Sequence, residues 1–435
     1  MQSSRTPKRK DPDGAHIYES DAMVNASSAS VDLAALPVVW RDAPRRWGHP
    51  LHSLCSYFAM FPPQMATVFI RWMTSPGDTV FDPFAGRGTV PLEAILQGRR
   101  GLGADANPLA HALTRAKVKV PSAASVAGRL RQLNTSYKRT EVDTGQVPDD
   151  IRMLYSASTL RQLVFLRDKL RSTGYIDPFI TGLVLGMLHA NHSGSGATRG
   201  FSISMPNTFA MAPGYVREYI ARKGLVAPDV DVFEMLRARA ERYGLPERAI
   251  TTGQSWLHDA TRPAPRAVRV ARPKLIFTSP PYLEVIKYGK YNWVRLWFLK
   301  ADAKAVDAGL MSSSSLSRYV DFITKVLRQM KTTVADDGFV CLVIGDVRRG
   351  DEELNLAGKV WRLAAEPEGW YCHGIIADGV PTGHKVSRIW KDNEGRATKT
   401  DRVLVLSPSS DVALPKLEAI DWGRSPTLMS TETET

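Results

Sequence analysis

The sequence predicts an α/β fold: a doubly wound, mostly parallel, Rossmann-like sheet with helices on both faces and a helical insert. Three observations predict it. Strand and helix signals alternate along much of the chain. The first strand runs into a glycine-rich turn that opens a helix, and an aspartate follows 23 residues after the first, at the end of the second strand. Further on, Phe339–Ile344 is apolar throughout, as suits a strand covered on both faces.

In order, Gly77-Asp78 is a turn, Thr79-Val80-Phe81 the first strand, Pro91–Gln97 the start of a helix and Arg100–Ala104 the second strand. Residues 110–245 interrupt the alternation with helical spacing (Leu160, Leu163, Val164, Leu166, Leu170) and a Gly/Ser-rich run, HSGSGATRG. Ala249–Thr252 reads as the third strand, Pro273–Thr278 as the fourth, Phe339–Ile344 as the fifth and Arg402–Leu406 as the last. Residues 1–30 and 408–435 are polar and aperiodic and read as disordered tails. The expected division is a catalytic domain over 31–118 and 246–407, with 119–245 as the insert and, by elimination, the candidate for target recognition.

The 435 residues are 43% hydrophobic and 23% charged, which allows a substantial soluble core. A net charge of +13 fits a polyanionic partner. Cys55, Cys341 and Cys372 are too far apart for a disulfide ladder, which favours a reducing compartment. No apolar signal core or membrane-length run occurs, so a cytoplasmic protein with no membrane partner is expected.

The segment Thr79-Val-Phe-Asp-Pro-Phe-Ala-Gly-Arg-Gly-Thr89 is the most informative. Gly86 and Gly88 allow close approach of a ligand and torsions closed to other residues. The carboxylate of Asp82 argues against a phosphate-rich ligand and suits a cationic amino group. Asp105, at the second strand end, is placed to bond ribose hydroxyls. An ammonium and a ribose without phosphate describe S-adenosylmethionine.

The second informative segment is Thr278-Ser-Pro-Pro-Tyr282. Pro280 and Pro281 stiffen the backbone and remove two donors, so carbonyls can converge on a site. The Ser279 hydroxyl and the Pro280 carbonyl can accept the two N–H bonds of an exocyclic base amine, freeing a lone pair otherwise delocalised into the ring. Tyr282 offers a ring on which a base turned out of its helix can stack. Stacking of this kind contributes about 1–3 kcal/mol, comparable to the cost of extrusion.

Together the two segments resemble the amino-group DNA methyltransferases. Asp82-Pro-Phe-Ala-Gly-Arg-Gly-Thr89 is similar to that family's cofactor motif and Thr278-Ser-Pro-Pro-Tyr282 to its catalytic motif. Ser-Pro-Pro-Tyr accompanies mainly cytosine N4, and Asp- or Asn-Pro-Pro-Tyr mainly adenine N6. His52–Pro63 resembles the cofactor-covering segment, Gly103–Pro108 the ribose-binding strand end, Tyr288–Trp297 the segment after the catalytic loop and Gly338–Asp346 the fifth strand. The resemblance implies a methyltransferase fold with S-adenosylmethionine held by Phe61, Asp82, Pro83, Phe84, Ala85, Gly86, Gly88, Thr89, Asp105 and Ala106. It implies catalysis by Ser279, Pro280, Pro281 and Tyr282, on cytosine N4 of double-stranded DNA, with a cognate restriction endonuclease as a further partner. Adenine N6, an RNA amino group, or a catalytically silent DNA-binding protein are the other readings. The chain departs from the family at Gly253-Gln254-Ser255, where Gly-Asp is common; Asp259 could substitute.

Arg199, Arg217, Arg222 and Lys223 could touch phosphates or simply face water. Trp293 and Trp297, at helical spacing, read as core. His49, His52 and Cys55, or His189 and His192, lack an evident fourth ligand, so no metal site is expected.

Overall fold

The structure is a computed structural model that describes residues 48–57, 61–191, 199–205, 211–281, 283, 287–313, 315–349, 352–379 and 397–416. The expected tail 1–30, Tyr282 of the expected catalytic set, His192 and residues 417–435 lie outside the described residues.

Seven strands form the main path of one sheet: β1 (Thr79–Asp82), β2 (Arg100–Asp105), β3 (Gln254–Leu257), β4 (Leu275–Thr278), β5 (Phe339–Arg349), β6 (Tyr371–Gly379) and β7 (Ala397–Ser407). Their order is 3-2-1-4-5-7-6, and Glu352–Leu354 adds an antiparallel strand to the end of β5. The pairs β1–β2, β1–β4, β2–β3 and β4–β5 are parallel, whereas β7 runs antiparallel between β5 and β6. The fold is therefore α/β and doubly wound, with the strand order reversing at β1. Ligands of such sheets bind beyond the carboxyl ends of the strands at the reversal.

Alternation along each strand builds two apolar layers. Val80, Leu275, Phe277, Cys341 and Val343 face helix α1 (Pro63–Met73), together with Val90 and Ala94 of α2 (Thr89–Leu96). Phe81, Ile276, Val340, Leu342 and Ile344 face the opposite layer with Tyr319, Ile323 and Leu327 of the later helix Leu316–Lys331. Strands covered on both faces explain why β5 reads as uniformly apolar.

Helix α3 (Pro108–Val118) joins β2 to the insert. Four long helices follow within it, α4 (Ala123–Tyr137), α5 (Ala157–Lys169), α6 (Ile176–Met187) and α7 (Pro213–Lys223), and α8 (Val232–Glu241) closes it. They share one apolar core with Leu51 and Leu54, with Leu109 and Leu113 of α3, and with Val294 and Leu296 of helix α9 (Trp293–Phe298). The insert thus continues the main body. At Gly186 of α6 a side chain would collide with the carbonyl of Leu54, so glycine there sets the approach. The two ends of the insert meet where Val120 and Ile250 exchange backbone hydrogen bonds of 2.8 and 2.9 Å.

Three sequence expectations are corrected here. The third strand is Gln254–Leu257 and not Ala249–Thr252, because Ile250 is drawn into the bridge to Val120 and packs on the insert core. Tyr371–Gly379 is a strand that the sequence reading passed over. Residues 408–416 are not free tail: Pro415 accepts a 2.8 Å hydrogen bond from Trp72 Nε1, and Val412 and Leu414 pack against the α1 layer.

Candidate active site

The turn after β1 is fixed by its neighbours on every side. Gly86 and Gly88 have φ of 51° and 77°, so both positions favour glycine. Gly88 N donates to Ala85 O at 2.6 Å, closing the turn, and Gly88 begins α2 as its left-handed N-cap. Thr89 is the first residue of that helix and is buried. Ala85 N is held by Ala104 O of β2 at 2.9 Å. Pro83 is buried, Phe84 lies 5.9 Å from the ring of Phe322, and Ala106 stands exposed at the mouth.

Two carboxylates face this turn. Asp82 is 1% exposed and accepts from Thr278 Oγ1 at 2.6 Å and from Phe84 N at 3.0 Å. Burial pushes its carboxyl up to about 7, against the pull of those two hydrogen bonds and with a small push from Asp105. Asp105 accepts from Asn107 N at 2.8 Å and from Gly86 N at 2.9 Å. Burial of the carboxyl pushes it up to about 6, again opposed by its backbone donors. Among the described residues neither carboxylate pairs with a cation, which is the donor set a ligand bearing an ammonium and a diol would complete.

The bond from Thr278 to Asp82 joins residues 196 apart in sequence. It arises because β1 and β4 are parallel neighbours, with Val80 opposite Leu275 and Phe81 opposite Ile276, so both motif loops leave the same edge. Ser279 Oγ donates to Val343 O of β5 at 3.0 Å. A hydroxyl has one hydrogen, so towards an incoming N–H this oxygen acts as acceptor. Pro280 is buried and Pro281 half-buried. Phe61 leans edge-on against Phe277 of β4, with centroids 5.5 Å apart.

Several residues here escaped the sequence reading. Tyr57 stacks on Tyr288 at 5.6 Å and its hydroxyl accepts from Asn107 Nδ2 at 3.0 Å, tying the expected covering segment to the segment expected after the catalytic loop. His52 Nε2 meets Glu93 Oε1 at 2.7 Å, and Thr67 donates to the other carboxylate oxygen at 2.6 Å. Burial lowers His52 to about 4, so the ring is a neutral donor that anchors the covering segment to α2. Buried Arg295 binds Leu185 O, Asn292 Oδ1 and Ser56 Oγ, joining α6, α9 and that same segment. Their only signal in sequence was polarity at otherwise apolar spacing. Asp259 turns inward on its own loop, accepting from Thr261 N and Oγ1 at 2.9 and 2.8 Å. Among the described residues no group of three His, Cys, Asp or Glu could hold a metal, and no helix is long and apolar enough to cross a membrane.

Comparison with known proteins bears on the first of these segments. The family model for N6/N4 DNA methylases matches residues 18–115, which contain the glycine-rich turn, Asp82 and Asp105. The Type II methyltransferase M.XycI of Xanthomonas campestris pv. cyanopsidis is 42% identical over 53 residues, or 12% of this chain. The resemblance to the amino-group DNA methyltransferases therefore holds. The match spans only 18% of the length of that relative. Among solved structures, TrmN from Thermus thermophilus aligns over 82% of this chain and 52% of its own, with 12% identity and a TM-score of 0.30. The rRNA methyltransferase aviRa from Streptomyces viridochromogenes aligns over 86% and 99%, with 11% identity and a TM-score of 0.33. Likeness of that depth decides nothing about chemistry.

Proposed function

We propose that this chain is an S-adenosylmethionine-dependent DNA methyltransferase acting on the exocyclic N4 of cytosine. The observation that carries the reading is the Thr278–Asp82 hydrogen bond, which brings the donor turn and the Ser-Pro-Pro loop to one edge of the sheet.

In this reading Asp82, which meets no cation among the described residues, holds the ammonium of the donor and Asp105 its ribose hydroxyls. The Gly86–Gly88 turn lets the backbone approach it, while Pro83, Phe84, Ala85, Thr89 and Ala106 shape the walls and Phe61, leaning on Phe277 of β4, covers it. When bound, S-adenosylmethionine supplies an electrophilic methyl group. Everything else falls to the chain. Ser279 Oγ, its hydrogen given to Val343, accepts one N–H of the target amine, and Pro280 O accepts the other. The two acceptors favour a pyramidal nitrogen with its lone pair available. Once the N–C bond forms as the S–C bond breaks, the methylated nitrogen carries a positive charge, is strongly acidic and loses its extra proton to water. No strong base is needed before transfer, so positioning and fixed dipoles do most of the catalysis. Pro281 stiffens the loop, and Tyr282 stacks on the extruded base.

The serine at 279, a neutral acceptor, favours cytosine over adenine in this family pattern. Double-stranded DNA is the proposed partner, with a cognate restriction endonuclease as a second. The test is to incubate purified protein with deuterated-methyl donor and separate pools of unmethylated DNA and RNA, then digest to nucleosides for mass spectrometry. Labelled N4-methylcytosine from DNA is expected. N6-methyladenine, label only in RNA, or donor binding without transfer would each overturn the assignment.

A further inference from the structure

Helix α3 sends two polar side chains, one turn apart, beneath the donor turn. Thr114 Oγ1 donates to Gly86 O at 3.3 Å and Lys117 Nζ donates to Arg87 O at 2.6 Å. Both residues are 0% exposed. From the other side Asp105 accepts the Gly86 N–H at 2.9 Å. Three polar groups of the turn backbone, Gly86 N–H, Gly86 O and Arg87 O, are thus each held by a side chain. The helix also presses on the turn directly, since a Cβ at Gly88 would come within 2.9 Å of Thr114 Cα.

A lysine is costly to bury without a carboxylate partner, and among the described residues none pairs with Lys117. Burial, and after it the charge of Arg87, push its pKa well below the usual lysine range. In either protonation state the amine donates a hydrogen bond to the turn. Packing alone gives no reason for the amine, because methionine fills a similar volume in an apolar setting at lower cost.

We propose that Lys117, with Thr114, is a positioning residue for the donor site: it fixes Arg87 O, and with it the Gly86–Arg87–Gly88 turn, in the shape the methyl donor meets. This rests on the function proposed above. The test compares wild type with Lys117→Met by calorimetric titration with S-adenosylmethionine, thermal unfolding and steady-state methyl transfer. Donor Kd and KM should rise about tenfold, from leaving the part-buried Arg87 carbonyl without its lysine donor, with kcat within about twofold of wild type. The unfolding temperature should stay level or rise. A wild type that binds no donor sinks the proposed function, and this inference with it. A wild type that binds, beside a Lys117→Met that binds equally well, overturns the inference. So does a variant whose stability and kcat fall along with its affinity, since the lysine would then be a packing residue only. Should Lys117→Met not fold, isosteric Thr114→Val removes the neighbouring grip at Gly86 O. There a rise of about threefold in donor Kd is expected, and an unchanged Kd overturns the inference.

Discussion

At the ends of β1 and β2 the site wall carries two carboxylates, Asp82 and Asp105, neither paired with a cation among the described residues. One strand over, at the end of β4, the wall carries hydroxyls. Thr278 gives its hydrogen to Asp82 and Ser279 gives its hydrogen to Val343. One side stores negative charge at a cost in folding energy, and the other offers neutral acceptors whose orientation the fold sets. The difference matches two unlike guests, a cation to be held and a neutral amine to be activated. It also predicts that the two sides can be damaged separately.

The largest separation should come from Ser279→Ala. Losing one fixed acceptor at the reacting nitrogen should lower kcat by about 10²–10³, the range seen for single preorganised groups in other enzymes. Donor affinity, by calorimetry, should not change. A parallel loss of donor binding would show that the two sides are one electrostatic unit.

Asp82→Asn should do the reverse, weakening donor binding by about a hundredfold as a buried charge pair loses one member. The same change should raise the unfolding temperature of the ligand-free protein at pH 8. The sign follows from Asp82 sitting at about 7 in the fold against an ordinary 3.8. Between those values the folded protein binds more protons than the unfolded chain, so stability falls as pH rises from about 4 to about 7. Above that the full cost of a buried carboxylate is present, and the amide removes it. For wild type, donor affinity should decline as pH falls below about 7, approaching tenfold per unit, because the ammonium needs the ionised carboxylate. A flat profile in calorimetry from pH 8 to pH 6 would remove Asp82 from the donor contact.

The smallest effect sharpens the donor side itself. Asp105→Ala removes the proposed ribose contact and frees Gly86 N, and should weaken donor binding about tenfold with DNA affinity unchanged in a filter-binding assay.

Much of this contrast was legible in the chain. Asp-Pro-Phe-Ala-Gly-Arg-Gly-Thr is local chemistry, a strand end and a turn that must have glycine at two positions, so Asp82, Gly86 and Gly88 could be picked out in sequence. The core strands were legible for the same reason, since burial on both faces leaves an unbroken apolar run such as Phe339–Ile344. Edges were not. β3 is an edge strand of mixed exposure, and the more apolar Ala249-Ile250 beside it belongs to the insert bridge. β6, also at an edge, reads Tyr-Cys-His-Gly-Ile-Ile-Ala-Asp-Gly and shows no regular alternation around the glycine at 374. The supporting residues Lys117, His52 with Glu93, and Arg295 were illegible because each partner lies far off in sequence or is a backbone carbonyl.

The central claim is a single cleft shared by donor and base. A crystal structure of the protein with S-adenosylhomocysteine tests it most directly. The account predicts the amino group on Asp82, the ribose on Asp105 and the sulfur facing Ser279 and Pro280. Density for the ligand elsewhere, or with its sulfur turned away from the Ser-Pro-Pro loop, would contradict it.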